Sequence, residues 1–386
     1  MDYLPSEITT QILSKLPVRS VLRCRSVCKT WKKIIDDHQF AKLQFTSSLL
    51  QSYNVGNKPI VTSFLFLPSY TNGYDDAFYI VELDKENTNT TFNTSKIKFS
   101  SSCPPNFSYH FYDQLFYVDG FLCFCLQYGF LFCLCNPATQ DWVNLTSFKP
   151  STQLGFGFGF DGFGFGFDHI NTKFKLVEIS YCSDATNAQV FTVGSNSWKD
   201  LNNVPQVMCS NFSATVQGSI HWLTHNNDML SSHILSFNLA SENFSFIELP
   251  KCYFGEEFLL GEFYIINFGG DISVVDFSNN DRVEVWVMKE YSGKESWTKL
   301  TVMKKDVVTG VEYIQLFPIS PWKDGEILLL YESKKLVSYN FESGRYTLFQ
   351  INGLPGNNDS DNVKKPCFYD VYPYVGNLLS VQPTDY

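Results

Sequence analysis

The chain has 386 residues, 44% hydrophobic and 18% charged, a composition that excludes a disordered polymer. Its net charge of -10 is uneven: residues 1–45 hold eight Lys/Arg against four Asp/Glu, which leaves -14 on the remainder, a body that should repel nucleic acid and membrane phosphate. No basic stretch leading into an apolar run opens the chain and no apolar run reaches about 18 residues, so neither a secretory leader nor a membrane span is expected, and cytoplasmic and/or nuclear residence is.

The first elements read as helices. Leu4, Ile8, Ile12, Leu13 and Leu16 recur at the spacing of one apolar stripe along a helix. Pro5 stands at its start, where a missing N–H costs nothing, and Pro17 stops it. A second short helix is predicted from about Arg19, with Val21 and Leu22. A third carries Val27, Trp31, Ile34 and Ile35. Three helices in about thirty residues cannot bury all these side chains among themselves, so the following domain or a partner should cover some of them. Residues 36–50 are predicted to finish the helical region, with Phe40, Leu43 and Phe45 packing back on it.

Leu4-Pro5, Glu7, Ile8, Ile12-Leu13, Leu16-Pro17-Val18, Leu22, Arg23, Val27-Cys28, Lys29 and Trp31 fall, in order, where the F-box pattern has them. The segment resembles an F-box. That resemblance implies docking on a Skp-family adaptor, which bridges to a cullin scaffold and a RING subunit. The adaptor-binding residues it implies are Leu4, Pro5, Ile8, Ile12, Leu16, Pro17, Val18, Leu22, Val27, Cys28 and Trp31. An amphipathic helical patch laid into a hydrophobic groove suits this role, and a basic rim would steer it toward an acidic adaptor. Two other readings use the same residues. One is an ordinary helical cap on a larger domain. The other is a helix-turn-helix DNA reader, for which Lys15, Arg19, Arg23, Arg25, Lys29, Lys32 and Lys33 supply the charge. Trp31 and the apolar positions favour the F-box.

Residues 46–60 read as a linker, and from Val61 the period changes to that of strands. Thirty-six Phe and 21 Tyr suit a β-rich core. A unit then repeats: short apolar strands joined by tight turns, followed by a strand opened by an aromatic residue. The markers are Trp142, Trp198, Phe244, Trp297 and Tyr346, spaced by 56, 46, 53 and 49 residues. A period of about 50 with three or four strands per unit is the mark of a propeller blade. Residues 61–116 have room for a sixth unit, to which residues 374–381 could add a closing strand. Trp142, Trp198 and Trp297 are expected to be buried at equivalent places in successive sheets. The predicted fold is α+β multidomain: a three-helix F-box at 1–45, the linker, and an all-β propeller-like domain of about six blades over 61–386. A twisted β-sandwich or an incomplete propeller is the alternative, because the kelch double glycine is clear only at Gly269-Gly270.

The body carries a second resemblance. Asn136-Pro137-Ala138-Thr139 with Trp142, Gly164-Phe165-Gly166-Phe167-Asp168, Val285-Trp286-Val287-Met288-Lys289-Glu290-Tyr291 with Glu295-Ser296-Trp297, and Tyr339-Asn340 are similar to the F-box-associated domain of a large plant family. One departure is the expansion of residues 155–168 to GFGFGFDGFGFGFD. Alternating Gly and Phe can make a strand with one aromatic face, or part of the stretch can loop out because glycine weakens strands. The resemblance also reaches pollen-expressed receptors of self-incompatibility, which recognise secreted ribonucleases, a minority subtype that an acidic body would suit.

No residues announce catalysis. The pairs Cys123-Phe-Cys125 and Cys133-Leu-Cys135, on neighbouring strands, could gather four thiols as a zinc site. The Phe and Leu between them favour small buried hydrophobes instead, and reduced ones in a cytosolic chain. His221 and His225 form H-x-x-x-H, but on a predicted strand and without the glutamate of a metalloprotease helix. Neither a nucleophile elbow nor a Walker-type loop occurs. The expectation is a non-catalytic substrate-recognition subunit of an SCF-type (Skp-cullin-F-box) ubiquitin ligase. It would use no cofactor and no metal, and would hold a Skp-family adaptor at its helices and an unidentified target protein on its propeller. The rivals are a stand-alone propeller binding a small ligand or sugar beneath a helical cap, and an enzyme on the propeller face.

Overall fold

A computed structural model describes residues 4–53, 63–69, 77–83, 90–98, 112–126, 131–145, 160–182, 185–195, 197–225, 232–250, 262–290, 296–304, 315–323, 325–355 and 368–381. By contacts the chain divides into two compact units: Met1–Thr146 with Ile351–Tyr386, and Ser147–Gln350.

The first unit opens with four helices: α1 (Ser6–Ser14), α2 (Val18–Cys24), α3 (Lys29–Ile35) and α4 (His38–Tyr53). Pro5 and Pro17 each stand just before a helix in extended geometry, and their carbonyls accept the N–H groups of Thr9 and Val21 at 3.0 and 3.1 Å. Pro17 therefore starts α2 as well as ending α1. Cys28 is the N-cap of α3, its Sγ accepting the Trp31 N–H at 3.4 Å, so Val27, expected inside the third helix, precedes it. Helix α4 runs on to Tyr53, so helix occupies the first half of the expected linker; positions 54–60 lie outside the described residues.

The expected single apolar stripe on α1 splits in two. Leu13 is buried in a helical core with Val21, Ile35 and Phe40, and Leu16, Trp31, Ile34 and Leu378 pack at its edge. Leu4, Ile8 and Ile12 face away and are exposed. Phe45 is buried edge-on against Phe121 with ring centroids 6.1 Å apart, whereas Leu43, expected to pack inward, is exposed. Arg19 of α2 pairs with Glu82 at 2.6 Å. The helices are thus tied to the sheets that follow them. Among the described residues no helix is long and apolar enough to cross a membrane.

Six antiparallel sheets follow. The first contains β1 (Ser63–Ser69), β2 (Ala77–Glu82) and β3 (Thr91–Lys98). The second is β4 (Tyr112–Val118), β5 (Phe121–Leu126), β6 (Leu131–Asn136) and β7 (Asp141–Leu145). The third is β8 (Phe160–Asp168), β9 (Lys173–Cys182), β10 (Ala185–Thr192) and β11 (Trp198–Asp200). The fourth is β12 (Met208–Val216), β13 (Ser219–His225), β14 (Ser232–Asn238) and β15 (Asn243–Glu248). The fifth is β16 (Phe263–Phe268), β17 (Asp271–Asp276), β18 (Arg282–Met288) and β19 (Trp297–Met303). The sixth is β20 (Leu316–Pro321), β21 (Glu326–Tyr331), β22 (Lys335–Asn340) and β23 (Tyr346–Leu348). Finally β24 (Gln350–Asn352) and β25 (Phe368–Pro373) return to the first sheet, on β3 and β1. Up-and-down sheets of four or five strands, six in number, are the blades of a six-bladed β-propeller and not the two layers of a sandwich.

Two expected boundaries move. Residues 112–116, placed in the first unit by periodicity, open the second blade as β4. The closing strand is β25, not residues 374–381. That tail forms no strand, yet Asn377 and Leu379 are buried, and Asn136 Nδ2 donates to the carbonyls of Asn377 and Leu379 at 3.2 and 2.8 Å. The aromatic markers all stand in the fourth strand of their blade. They face Cys135, Phe191, Phe237, Met288 and Tyr339 of the third strand. Equivalent placement therefore holds. Full burial holds only for Trp142, which stacks on Phe78 and Phe124, while Trp198 and Trp297 are half-buried on outer strands.

In the second unit the Gly-Phe run forms β8, with residues 155–159 lying outside the described residues. Phe163, Phe165 and Phe167 are buried on one side. On the other side Gly162, Gly164 and Gly166 make a floor for the next blade. Trp222 Nε1 donates to the Phe163 carbonyl at 3.1 Å, and Thr215 Oγ1 to that of Phe165 at 2.6 Å. A Cβ on Gly164 would lie 2.5 Å from Ile220 Cγ2. Glycine here is what lets two blades approach.

Candidate functional site

The face that α1–α3 leave open is the candidate site. Leu4 is 61% exposed, Ile8 45%, Ile12 50%, Leu22 37% and Val27 64%. Pro5, Pro17 and Cys28 are also exposed. The backbone explains the arrangement. Ile8 and Ile12 are four residues apart on α1 and share a face, while Leu13 is turned about 100° further round and enters the core. Of the residues expected at the adaptor surface, three are placed differently. Val18 is buried, and Leu16 and Trp31 are half-buried and pack against the helical core.

The same helices also carry charge. Lys29, Lys32 and Lys33 line a shallow depression with Asp36 and Asp37. Arg25 pairs with Asp36 across α2 and α3. The hydrogen bond and the charge of each hold the Arg25 guanidinium above its ordinary pKa, and the Asp36 carboxyl lies below its own, chiefly through that hydrogen bond. Both side chains are solvent-exposed, so this pair orders the helices more than it stabilises them.

The other chemistry-bearing motifs do not assemble into sites. In β5 and β6, Cys133 faces Phe124 and Cys135 faces Leu122, while Cys123 faces Leu134 and Cys125 faces Phe132. Directly opposed residues share a face and neighbours in a strand alternate. The two cysteine pairs therefore lie on opposite faces of the sheet, which removes the four-thiol geometry. All four are buried, and burial pushes the Cys123 thiol well up. His221 and His225 lie on β13, where four residues span about 13 Å. The ring of His221 is fully buried with Nδ1 3.1 Å from the Ala214 carbonyl, and burial lowers its pKa to about 4. It is a neutral core side chain. Among the described residues no group of three His, Cys, Asp or Glu could hold a metal ion.

One buried ionic group went unread in the sequence. Lys175 Nζ lies 3.1 Å from Asp168 Oδ2 and 3.0 Å from Glu242 Oε1, and Lys199 reaches Glu242 Oε2 at 2.7 Å. Burial raises the Asp168 pKa, but hydrogen bonds from Asn171 and Lys175 outweigh it and leave that carboxyl below its ordinary range. The group links the third blade to the turn of the fourth and is structural.

Comparison with known proteins now bears on this geometry. Residues 1–45 match the F-box-like family, and residues 67–372 match the family described as the F-box associated beta propeller domain. The chain is a plant F-box protein with an F-box-associated β-propeller. Its relatives include F-box protein At3g07870 of Arabidopsis thaliana, 25% identical across 92% of this chain and 89% of that protein. The F-box/kelch-repeat protein At3g23880 of the same plant is 23% identical over 92% and 93%. Among solved structures, a chain of the nidogen/laminin complex shares 9% identity and a TM-score of 0.41 over 80% of this chain and 97% of that one. The F-box resemblance read from Leu4 to Trp31 and the propeller resemblance read from Asn136 to Asn340 both hold. F-box domains generally bind a Skp-family adaptor, and F-box proteins are generally non-catalytic adaptors, which matches the exposed helical face and sets aside the DNA-reader alternative.

Proposed function

We propose that this F-box protein is the substrate-recognition subunit of a Skp-cullin-F-box ubiquitin ligase, working in the cytoplasm and/or nucleus. The supporting observation is the row Leu4, Ile8, Ile12, Leu22 and Val27, held in solvent by helices whose opposite side is buried. Large apolar side chains left exposed together on one short helical segment mark a binding surface. Burying them on an adaptor groove gives the affinity, and Lys29, Lys32 and Lys33 favour an acidic partner. The adaptor joins the chain to a cullin and a RING subunit. The propeller holds a target, whose lysines gain effective concentration near the charged ubiquitin-conjugating enzyme. The F-box protein makes and breaks no bonds itself.

Co-purification with a Skp-family adaptor tests this. Ile8→Glu with Ile12→Glu should abolish capture while the far-UV spectrum and the unfolding midpoint stay within a few degrees of the parent. Leu4→Ala with Pro5→Ala should weaken it at least about tenfold. Undiminished capture by the double glutamate variant would refute the assignment.

A further inference from the structure

The core beneath the open helical face is small, and a residue from far along the chain helps to close it. Leu13, Val21, Ile35 and Phe40 are its buried members, and Leu378 packs against them. Among the described residues of that cluster, Leu378 alone comes from outside positions 4–53. It lies in the segment 374–381, which follows β25 and forms no strand.

The backbone on either side of Leu378 is fixed to the blades. Asn377 is 1% exposed, and its Nδ2 donates to the Asp119 carbonyl at 2.8 Å. Its Oδ1 accepts from Asn136 Nδ2 and from the Leu379 N–H, each at 3.0 Å. The Val375 N–H donates to the Tyr117 hydroxyl at 3.1 Å, and the Tyr374 N–H to the Ser63 carbonyl at 2.8 Å. The turn between β4 and β5 admits this segment because it holds glycine. A Cβ on Gly120 would lie 2.3 Å from the Val375 carbonyl. The next residue, Phe121, receives Phe45 of α4. The first two blades therefore hold the backbone around Leu378, and the helices receive its side chain.

Four buried side chains are a small core for about fifty residues of helical segment, well below the size at which a core suffices alone. Leu378 covers an edge of that core. Ile8 and Ile12 share α1 with Leu13, and Leu22 follows Val21 on α2, so loosening the core displaces the residues assigned to capture. An adaptor binds the packed helices, and its apparent affinity falls with the fraction of chains in which they are packed.

We propose that Leu378 is a positioning residue for adaptor capture: carried by the blades, it holds α1–α3 in the form that the adaptor binds. This rests on the reading of the chain as an adaptor-binding subunit. Coupling between two sites is reciprocal. What the segment after β25 adds to adaptor affinity, the bound adaptor returns as order in that segment.

The test uses the full chain, a Skp-family adaptor and amide hydrogen exchange read by mass spectrometry. Without adaptor, Leu378→Ala should speed exchange across α1–α3 several-fold and leave β13–β18 at the parent's rate. Adaptor affinity should fall about threefold in Leu378→Ala and about tenfold in Leu378→Asp, and Leu378→Met should keep it. In the parent chain, saturating adaptor should slow exchange of the Val375 and Leu379 amides several-fold. That measurement needs no variant, so it decides the matter even where Leu378→Asp fails to fold. Weakened capture with α1–α3 exchange unchanged would make Leu378 a direct adaptor contact and would overturn the proposal. Parent-like capture by both Leu378→Ala and Leu378→Asp would overturn it too, as would exchange after β25 that ignores the adaptor. Those failures leave the ligase reading standing if the parent captures the adaptor, whereas a parent chain that captures none sinks that reading and this proposal with it.

Discussion

His221 and Gly164 show how much of this molecule rests on single buried positions. The His221 imidazole is enclosed, and only its neutral form suits that site, with a pKa near 4 against an ordinary 6.5. Its contribution is fully present above pH 6.5 and is lost as the pH falls toward 4, up to about 3 kcal/mol. His221→Gln, which keeps an N–H for the Ala214 carbonyl, should flatten that part of the stability profile relative to the parent. Parallel profiles for the two proteins between those pH values would rule the histidine out as the cause. Gly164 is a steric case. A methyl there would meet Ile220 Cγ2 at 2.5 Å and Trp222 Cζ2 at 2.6 Å. Gly164→Ala should cost about 1–3 kcal/mol by overpacking in a denaturation midpoint. No measurable loss would show that the two blades yield freely.

Turns carry the same logic at the level of elements. Asn136, Asn238 and Asn340 each end the third strand of a blade, and each side-chain oxygen accepts an N–H within the following turn. The backbone carbonyl of each accepts the N–H four residues on, from Gln140, Glu242 and Gly344. Those three residues all have positive φ, at 61°, 54° and 68°, and only the last is glycine. The Asn-Pro-Ala-Thr motif announced the first turn in the sequence. It did not announce that Asn136 Nδ2 would also hold Asn377 and Leu379 of the tail. Asn136→Asp keeps the turn acceptor and loses the donors, so it should cost about 3 kcal/mol and speed limited proteolysis of the tail. Retained protease resistance would show that β25 alone secures the closure. The helices have a comparable division. Spacing identified the apolar positions of α1, but which of them face solvent depended on α2–α4 covering Leu13 and leaving Ile8 and Ile12 open.

For the whole molecule, adaptor capture is assigned to side chains that the helical core does not use. The double glutamate change at Ile8 and Ile12 should therefore remove adaptor capture and leave the cooperative unfolding of the propeller at the parent's midpoint. A lowered midpoint would show that these two side chains also hold the fold together.

What the sequence determined by itself was local and periodic. The 3.6-residue spacing set the helices, the alternation set the strands, and aromatic markers about 50 residues apart set five of the six blades. The F-box positions were legible because they are contiguous. Tertiary structure decided what depends on partners distant in the chain. It placed β25, rather than the tail after it, on β1, because a strand is chosen by the edge that needs pairing. It separated the cysteine pairs, because register assigns faces. It buried Val18 and exposed Phe212, because burial is a property of what packs over a side chain and not of the side chain's own hydrophobicity.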